Sequence, residues 1–189
     1  MELRDQVVVI TGGGNGIGAA MARRFHQEGA AAIVVADLDG DAAAAVADEI
    51  SARSVAVDVA DEAQVQDLVA STKAEHGRID LFCANAGIGA FGGVDVLDAE
   101  WQRSWDVNVM AHVYAARALL PDWLEQGTGY LLHTASAAGL LTNIGAAPYS
   151  VTKHAVVGLA EWLSMTHGDA GVRFSCLCPM GVRTNMLLG

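Results

Sequence analysis

Short apolar runs rich in β-branched residues alternate with longer stretches whose apolar positions recur every three or four residues. The runs at residues 7–11, 32–36, 54–57, 81–84, 130–134 and 172–176 are apolar almost throughout, which predicts six strands buried on both faces. The stretches at 16–28, 41–50, 62–76, 99–120 and 149–166 are Ala-rich with helical spacing and predict five helices. Gly29, Gly77 and Gly168 follow helices as stops, and Pro121 is expected to end the longest. Strand then helix, five times over, implies right-handed crossovers and a parallel sheet covered on both sides. The expectation is an α/β, Rossmann-type doubly wound sheet in three layers (α/β/α), one domain over 1–189. No linker, low-complexity tract or short-period repeat interrupts it.

The length of 189 residues supports one domain with a core. Half the residues are apolar and 17% are charged, a balance that suits a soluble globular protein. The net charge of −11 repels phosphate backbones and anionic bilayers, so neither nucleic acid nor membrane is expected as a partner. The N-terminus lacks the apolar core and cleavage site of a signal peptide, and no apolar stretch reaches membrane-spanning length. The cysteines at 83, 176 and 178 make no disulfide framework and suit a reducing compartment, so a cytoplasmic location is expected. Cys176 and Cys178, two apart on a strand, should point roughly the same way. No Cys or His set has zinc spacing, so no metal is expected.

Candidate chemistry begins where the first strand runs into Thr11-Gly12-Gly13-Gly14-Asn15-Gly16-Ile17-Gly18. Gly12, Gly16 and Gly18 form G-x-x-x-G-x-G rather than G-x-G-x-x-G. Glycine is needed where the chain turns sharply and where backbone must approach a pyrophosphate. The helix N-terminus beyond, at Asn15, Gly16 and Ile17, offers free N–H groups. A tight turn without a ligand is the plain alternative; a P-loop is excluded, because no Gly-Lys-Ser/Thr follows. Asp37, 19 residues after Gly18 with Leu38 beside it, ends the second strand. A carboxylate there accepts both ribose hydroxyls of an adenosine and repels a 2′-phosphate, favouring NAD over NADP. A solvated loop Asp is the alternative, since Asp39 and Asp41 are close. Asp58 and Val59, after the third strand, are placed to meet the adenine.

Tyr149 and Lys153 are four apart at a helix start, with Pro148 in front, so phenol and ammonium share one face. A close cation favours the phenolate and makes a tyrosine usable as a base. Alone, Tyr-x-x-x-Lys is equally an amphipathic helix face. Ser136 follows the fifth strand, where an open α/β sheet places its crevice, and its hydroxyl could polarise a carbonyl. Asn85-Ala86-Gly87 follows the fourth strand. Asn108 sits among apolar neighbours inside the long helix, a poor place for Asn unless its amide has a task.

With these motifs in this order, nearly the whole chain resembles the short-chain dehydrogenase/reductase family. Thr11 to Gly18 is similar to its cofactor turn, and Asn85-Ala86-Gly87 to the motif that supports its central sheet. Asn108, Ser136, Tyr149 and Lys153 match its catalytic tetrad. The resemblance implies that Tyr149 is the acid/base, Ser136 holds the substrate oxygen, and Lys153 binds the nicotinamide ribose and favours phenolate. It implies that Asn108 keeps a water linking Lys153 to solvent, with hydride passing directly between nicotinamide and substrate. Pro179, Val182 and Thr184 match the loop that meets the nicotinamide amide, with Met180 where the family has Gly. The family continues past this point into a substrate lid and a seventh strand, so a lid absent from this sequence is expected. A dinucleotide-binding sensor or structural protein without turnover is the alternative.

Segments 88–94 and 137–144 should line the substrate pocket; Phe91, Leu140 and Leu141 point to a hydrophobic alcohol or ketone. His133 reads as a core histidine, and His154 should face away from the chemistry. Trp101, Trp105, Trp123 and Trp162 read as helix packing. Helix 149–166 is apolar on more than one side, at Val156, Val157, Leu159, Ala160, Trp162 and Leu163, which suggests a subunit interface and a homodimer or homotetramer.

Overall fold

The computed structural model describes residues 1–184. Its order is β1 (Val7–Thr11), α1 (Gly16–Gln27), β2 (Ala32–Asp37), α2 (Gly40–Glu49), β3 (Arg53–Ala56), α3 (Glu62–His76), β4 (Leu81–Ala84) and α4 (Asp98–Trp105). A π-helical turn (Asp106–Met110) leads into α5 (Ala111–Gln126) and β5 (Gly129–Thr134). A 3₁₀ turn (Ala137–Gly139), α6 (Ala147–His167), a second 3₁₀ turn (Gly168–Ala170) and β6 (Val172–Leu177) complete it. All strand pairs are parallel, in the order β3-β2-β1-β4-β5-β6. The chain winds outward from β1 to one edge, returns to place β4 beside β1, and winds to the other edge. That is the expected doubly wound fold, with its topological switch between β1 and β4.

Successive side chains on a strand point to opposite faces. Val8 and Ile10, Ile33 and Val35, and Leu81 and Cys83 pack beneath α1 and α2, on Ala19, Ala22, Ala43 and Val46. Val9, Val34, Phe82 and Leu131 point the other way, onto Leu68, Leu119, Trp123 and Leu163 of α3, α5 and α6. Both faces are covered, so the inner strands read as unbroken apolar runs. Among the described residues no helix is long and apolar enough to cross a membrane.

The structure corrects four expectations. β3 starts at Arg53 and ends at Ala56, one residue early, and Ser54 and Ala56 are exposed. It is an edge strand, so burial on both faces does not hold for it. The helix expected over 99–120 is two helices joined by the π turn. Pro121 lies inside α5 rather than ending it. It is exposed, so the Arg117 carbonyl deprived of its N–H faces water, and burial of Leu119 and Trp123 on either side of Pro121 carries the helix through. Of the four tryptophans, only Trp123 is buried; Trp105 and Trp162 are exposed.

His133 is a core histidine, as expected, but not alone. Its Nδ1 lies 3.0 Å from Nδ1 of His112 on α5, and both side chains are buried. Burial lowers His133 to about 4. It also holds His112 well below the usual imidazole range, helped by His133 and by the Lys153 charge. The pair is therefore neutral, sharing one proton, and neither Nε2 has a partner.

Trp123 is the largest fully buried side chain. Its indole N–H donates to the Ile79 carbonyl at 2.7 Å, and Gly129 starts β5 against its ring, where a Cβ would stand 2.2 Å from Cδ2. Trp123→Ala should cost about 3–5 kcal/mol by urea unfolding. Trp123→Phe keeps most of the packing and should lose about 1–3 kcal/mol, chiefly by orphaning the Ile79 carbonyl. Two equally small losses would contradict this account.

Candidate active site

The strand ends at the switch point open into a cleft of about 1080 Å³. At its base the chain leaves β1 through Gly12, at φ +63°, where a Cβ would stand 2.8 Å from the Ala86 Cα. Gly18, buried behind the turn in α1, is packed so closely that its Cβ would lie 2.1 Å from the Gly12 carbonyl oxygen. These two positions accept only glycine. Gly16 and Ile17 line the cleft. Asn15 is the N-cap of α1 but its side chain caps nothing, which leaves the first-turn N–H groups turned to the cleft.

Asp37 closes the far side of this turn. Its carboxylate accepts the Gly14 N–H at 2.9 Å and the Asp39 N–H at 3.1 Å, which fixes it beside the glycines. Leu38 is exposed on the rim. Asp58 accepts the Ala60 N–H at 2.9 Å, and buried Val59 forms the neighbouring wall. Val57, Gln102, Arg103 and Val107 also line the cleft and were not foreseen; α4 and the π turn bring the last three there from far along the chain.

Asn85, Ala86 and Gly87 brace the turn from β4. The Asn85 amide donates to the Thr11 and Gly12 carbonyls at 3.1 and 3.2 Å, and the Asn85 and Ala86 N–H groups both donate to Thr11 Oγ1. Asn108 stands one layer behind. Its Oδ1 accepts the Ile88 N–H at 2.8 Å, and Nδ2 donates to the Ile88 carbonyl at 3.0 Å and to Thr152 Oγ1 at 3.2 Å. The amide's task is that brace, and a π turn at such a point is typical of functional helices. Thr152 in turn donates to the Tyr149 carbonyl at 2.9 Å. The sequence pointed to Asn108; its partner Thr152, one residue before Lys153, carried no signal.

Ser136, Tyr149 and Lys153 line the cleft together. Ser136 has extended backbone at the mouth of the 3₁₀ turn, and its Oγ accepts the Ala138 N–H at 3.2 Å. That turn lies directly on α6, since a Cβ on Gly139 would meet the Lys153 carbonyl oxygen at 2.5 Å. Tyr149 sits in the first turn of α6, and the Lys153 Nζ is 5.7 Å from its ring centroid. The ammonium is almost fully buried, donates to the Thr134 carbonyl at 3.0 Å, and is held down to about 8 by burial. His154 instead bonds the Ser150 carbonyl and is exposed.

Pro179, Val182 and Thr184 form the remaining wall. The Pro179 carbonyl accepts the Ala137 N–H at 2.8 Å. Thr184 reaches back to the start of α1, where a Cβ on Gly16 would stand 3.0 Å from its Cγ2. Met180 is exposed and also lines the cleft. At the mouth, the loop after β4 is stitched to the loop before α6: Gly92 N–H donates to the Gly145 carbonyl at 2.7 Å, and Ala147 N–H to the Gly92 carbonyl at 2.9 Å. Phe91 and Leu141 stand exposed there. Among the described residues, no group of three His, Cys, Asp or Glu could hold a metal ion.

Residues 6–188 match the family model described as short chain dehydrogenase. Meso-2,3-butanediol dehydrogenase of Serratia marcescens is 38% identical over all of this chain and 76% of its own length. The 1-deoxy-11-beta-hydroxypentalenate dehydrogenase of Streptomyces exfoliatus is 37% identical over all of this chain and 72% of its own. The chain thus spans about three-quarters of these relatives. Among solved structures, the 3-ketoacyl-(acyl-carrier-protein) reductase from Brucella melitensis complexed with NADH superposes with a TM-score of 0.94 at 33% identity, over 98% of this chain and 80% of that one. A short chain dehydrogenase/reductase from Burkholderia phymatum in complex with NAD gives 0.93 at 36% identity, over 98% and 69%.

The buried ammonium has a thermodynamic signature. Folded protein releases the Lys153 proton near pH 8, whereas the unfolded chain holds it to about 10.5. Between those values the unfolded state binds more protons, so stability rises with pH. Relative to Lys153→Met, the cofactor-free wild type should gain on the order of 2–3 kcal/mol between pH 8 and 10.5. Urea unfolding of both proteins at pH 7 and at pH 10 checks this; a stability difference that does not change with pH would overturn it.

Proposed function

The chain belongs to the short-chain dehydrogenases, oxidoreductases that interconvert alcohols and carbonyls, and on that footing we propose an NAD-dependent alcohol dehydrogenase or carbonyl reductase with Tyr149 as its acid/base. The alternative of a dinucleotide binder without turnover is set aside by this membership. The observation that carries the proposal is a single cleft lined at one end by the glycine turn and Asp37 and at the other by Ser136, Tyr149 and Lys153. It fits a dinucleotide: uncapped N–H groups face where a pyrophosphate would lie, Gly12 and Gly18 hold the turn closed beneath it, and a carboxylate stands where a ribose would follow. NADH and NAD occupy structural neighbours, which supports a nicotinamide dinucleotide here. Bound there, a nicotinamide supplies or takes up the hydride.

The residues do the rest. In reduction the Tyr149 hydroxyl gives its proton to the substrate oxygen; in oxidation its phenolate takes the alcohol proton. The Ser136 hydroxyl donates to the same oxygen and orients it. Lys153 would hold the nicotinamide ribose, and its charge favours the phenolate. Asn108 acts as a positioning residue. Both hydrogens of its amide are spent on Ile88 and Thr152, so its side chain braces the loop after β4 against α6. Gly12, Asn15, Gly16, Ile17 and Gly18 would cradle the pyrophosphate, and Asp37, Leu38, Asp58 and Val59 would hold the adenosine. Asn85, Ala86 and Gly87 support the cofactor turn, while Pro179, Val182 and Thr184 would meet the nicotinamide amide.

Phe91, Leu141 and Met180 around the mouth support a hydrophobic small-molecule alcohol or ketone as substrate. Exposed Val151, Trp162 and Met165 on α6 support self-association into a homodimer or homotetramer through that helix. Three free cysteines support a cytoplasmic location. We take the chain as one dinucleotide-binding and catalytic domain.

Two experiments test the reading. Tyr149→Phe keeps the ring and removes the hydroxyl; NADH binding should survive while turnover falls by roughly 10²–10⁴-fold. A variant that binds NADH and keeps most of its kcat would place the proton donor elsewhere. For cofactor choice, kcat/KM should strongly favour NAD(H) over NADP(H), and Asp37→Ser should narrow the gap. Equal values for the two cofactors in wild type would reject the role of Asp37.

A further inference from the structure

Two of the three cysteines stand together in a place the proposed reaction does not use. Cys83 is fully buried in β4. Cys176 and Cys178 are half-buried at the C-terminal end of β6, with their sulfurs 3.9 Å apart. This end of β6 is tied to the serine. The Ala135 N–H donates to the Leu177 carbonyl and the Ala137 N–H to the Pro179 carbonyl, both at 2.8 Å. The amides on either side of Ser136 are thus held by the carbonyls on either side of Cys178. Cys176 pairs in register with His133 of the neighbouring β5.

We propose that Cys176 and Cys178 form a dithiol modification site that a hydroperoxide closes to a disulfide, and that closure displaces Ser136. The effect on turnover rests on the role given to Ser136 above; formation of the disulfide does not. Burial pushes the Cys176 thiol up to about 12, so attack starts from Cys178. The Cys178 sulfur attacks a peroxide oxygen and the O–O bond breaks. The leaving oxygen takes up the thiol proton, and Cys178 becomes a sulfenic acid. The Cys176 sulfur then attacks Cys178 and expels hydroxide, which leaves as water with the Cys176 proton. Two thiols lose two electrons in all, and one hydroperoxide gains them.

The geometry makes this a pull on the site. Two residues along a strand advance by about 6.4–6.8 Å, the upper end of the Cα span a disulfide accepts. The commonest Cα span is about 5.5–6 Å, so bringing the sulfurs from 3.9 Å to about 2 Å draws the chain in at Leu177. The Leu177 and Pro179 carbonyls move with it, and the two amides that flank Ser136 either follow or lose their bonds.

The test uses the 189-residue chain, first kept reduced and then treated with hydrogen peroxide. Peptide mapping should show residues 174–183 lighter by two hydrogens, distinct from the added oxygen of an oxidised Met180. Amide hydrogen exchange at Ala135 and Ala137 should quicken by about tenfold or more, and dithiothreitol should reverse both changes. Turnover should fall and recover in parallel. Cys178→Ser, as active as reduced wild type, should keep slow exchange and full turnover after peroxide. Wild type that keeps all three thiols while Met180 is oxidised would overturn the site. A disulfide that leaves the exchange of both amides unchanged would overturn the coupling. If reduced protein turns nothing over, the reading of Ser136 fails instead, and mapping and exchange still judge the dithiol.

Discussion

Strands β1 and β4 pair along their length and part at their C-terminal ends, because the connections that follow leave towards opposite faces of the sheet. Strand pairing cannot bridge that gap, and the cleft exists because it is bridged another way. The Asn85 amide reaches from the end of β4 to the Thr11 and Gly12 carbonyls, while Thr11 Oγ1 accepts two N–H groups in return. This side-chain crosslink closes the floor of the cleft while leaving its upper walls apart. The glycine turn sits directly above it, and the carboxylate of Asp37 is held by that turn.

Behind the cleft lies a second layer that is polar and buried. Asn108 bonds Thr152, and the Lys153 ammonium bonds the Thr134 carbonyl, two buried contacts that tie the π turn and β5 to α6. Beneath it sits the His112–His133 pair, held neutral. Groups like these oppose folding unless each is matched, and the pair leaves both Nε2 atoms without partners. Since burial lowers both imidazoles, the fold loses stability as pH falls from 6.5 towards 4, where the unfolded chain takes up protons the folded one refuses. The cost is concentrated directly under the cleft, beside Lys153, where several elements must be fixed relative to one another.

The sequence was most legible where one residue type has one physical reason. Gly12 and Gly18 cannot carry a Cβ, inner strands must be apolar on both faces, and Tyr149 and Lys153 share a face through helical spacing alone. It was least legible where the reason lies in another segment. Nothing near Thr152 shows that Asn108 will bond it, since 44 residues separate them. Pro121 reads as a stop until its exposure and the burial of Trp123 are known. Residues 106–110 read as ordinary helix because a π turn differs from its neighbours by one extra residue per turn, not by a pattern of apolar positions. Met180 stands where the family has glycine, and its consequence, a side chain in the cleft wall, needed the loop's path.

The backbone bridge at Gly92, Gly145 and Ala147 separates two duties that a binding mouth usually mixes. Its bonds come from main-chain groups alone, so they do not depend on which side chains surround them. Phe91, Leu141 and Ile144 stand out from that frame into open space, and exchanging them alters what the rim touches without altering how far the rim stands from the first turn of α6. The fold can therefore change what its mouth touches by single substitutions while the first turn of α6 keeps its place. Divergence at the mouth is cheap, and divergence at Gly92 is not, because a Cβ there would meet the Val96 side chain at 2.3 Å.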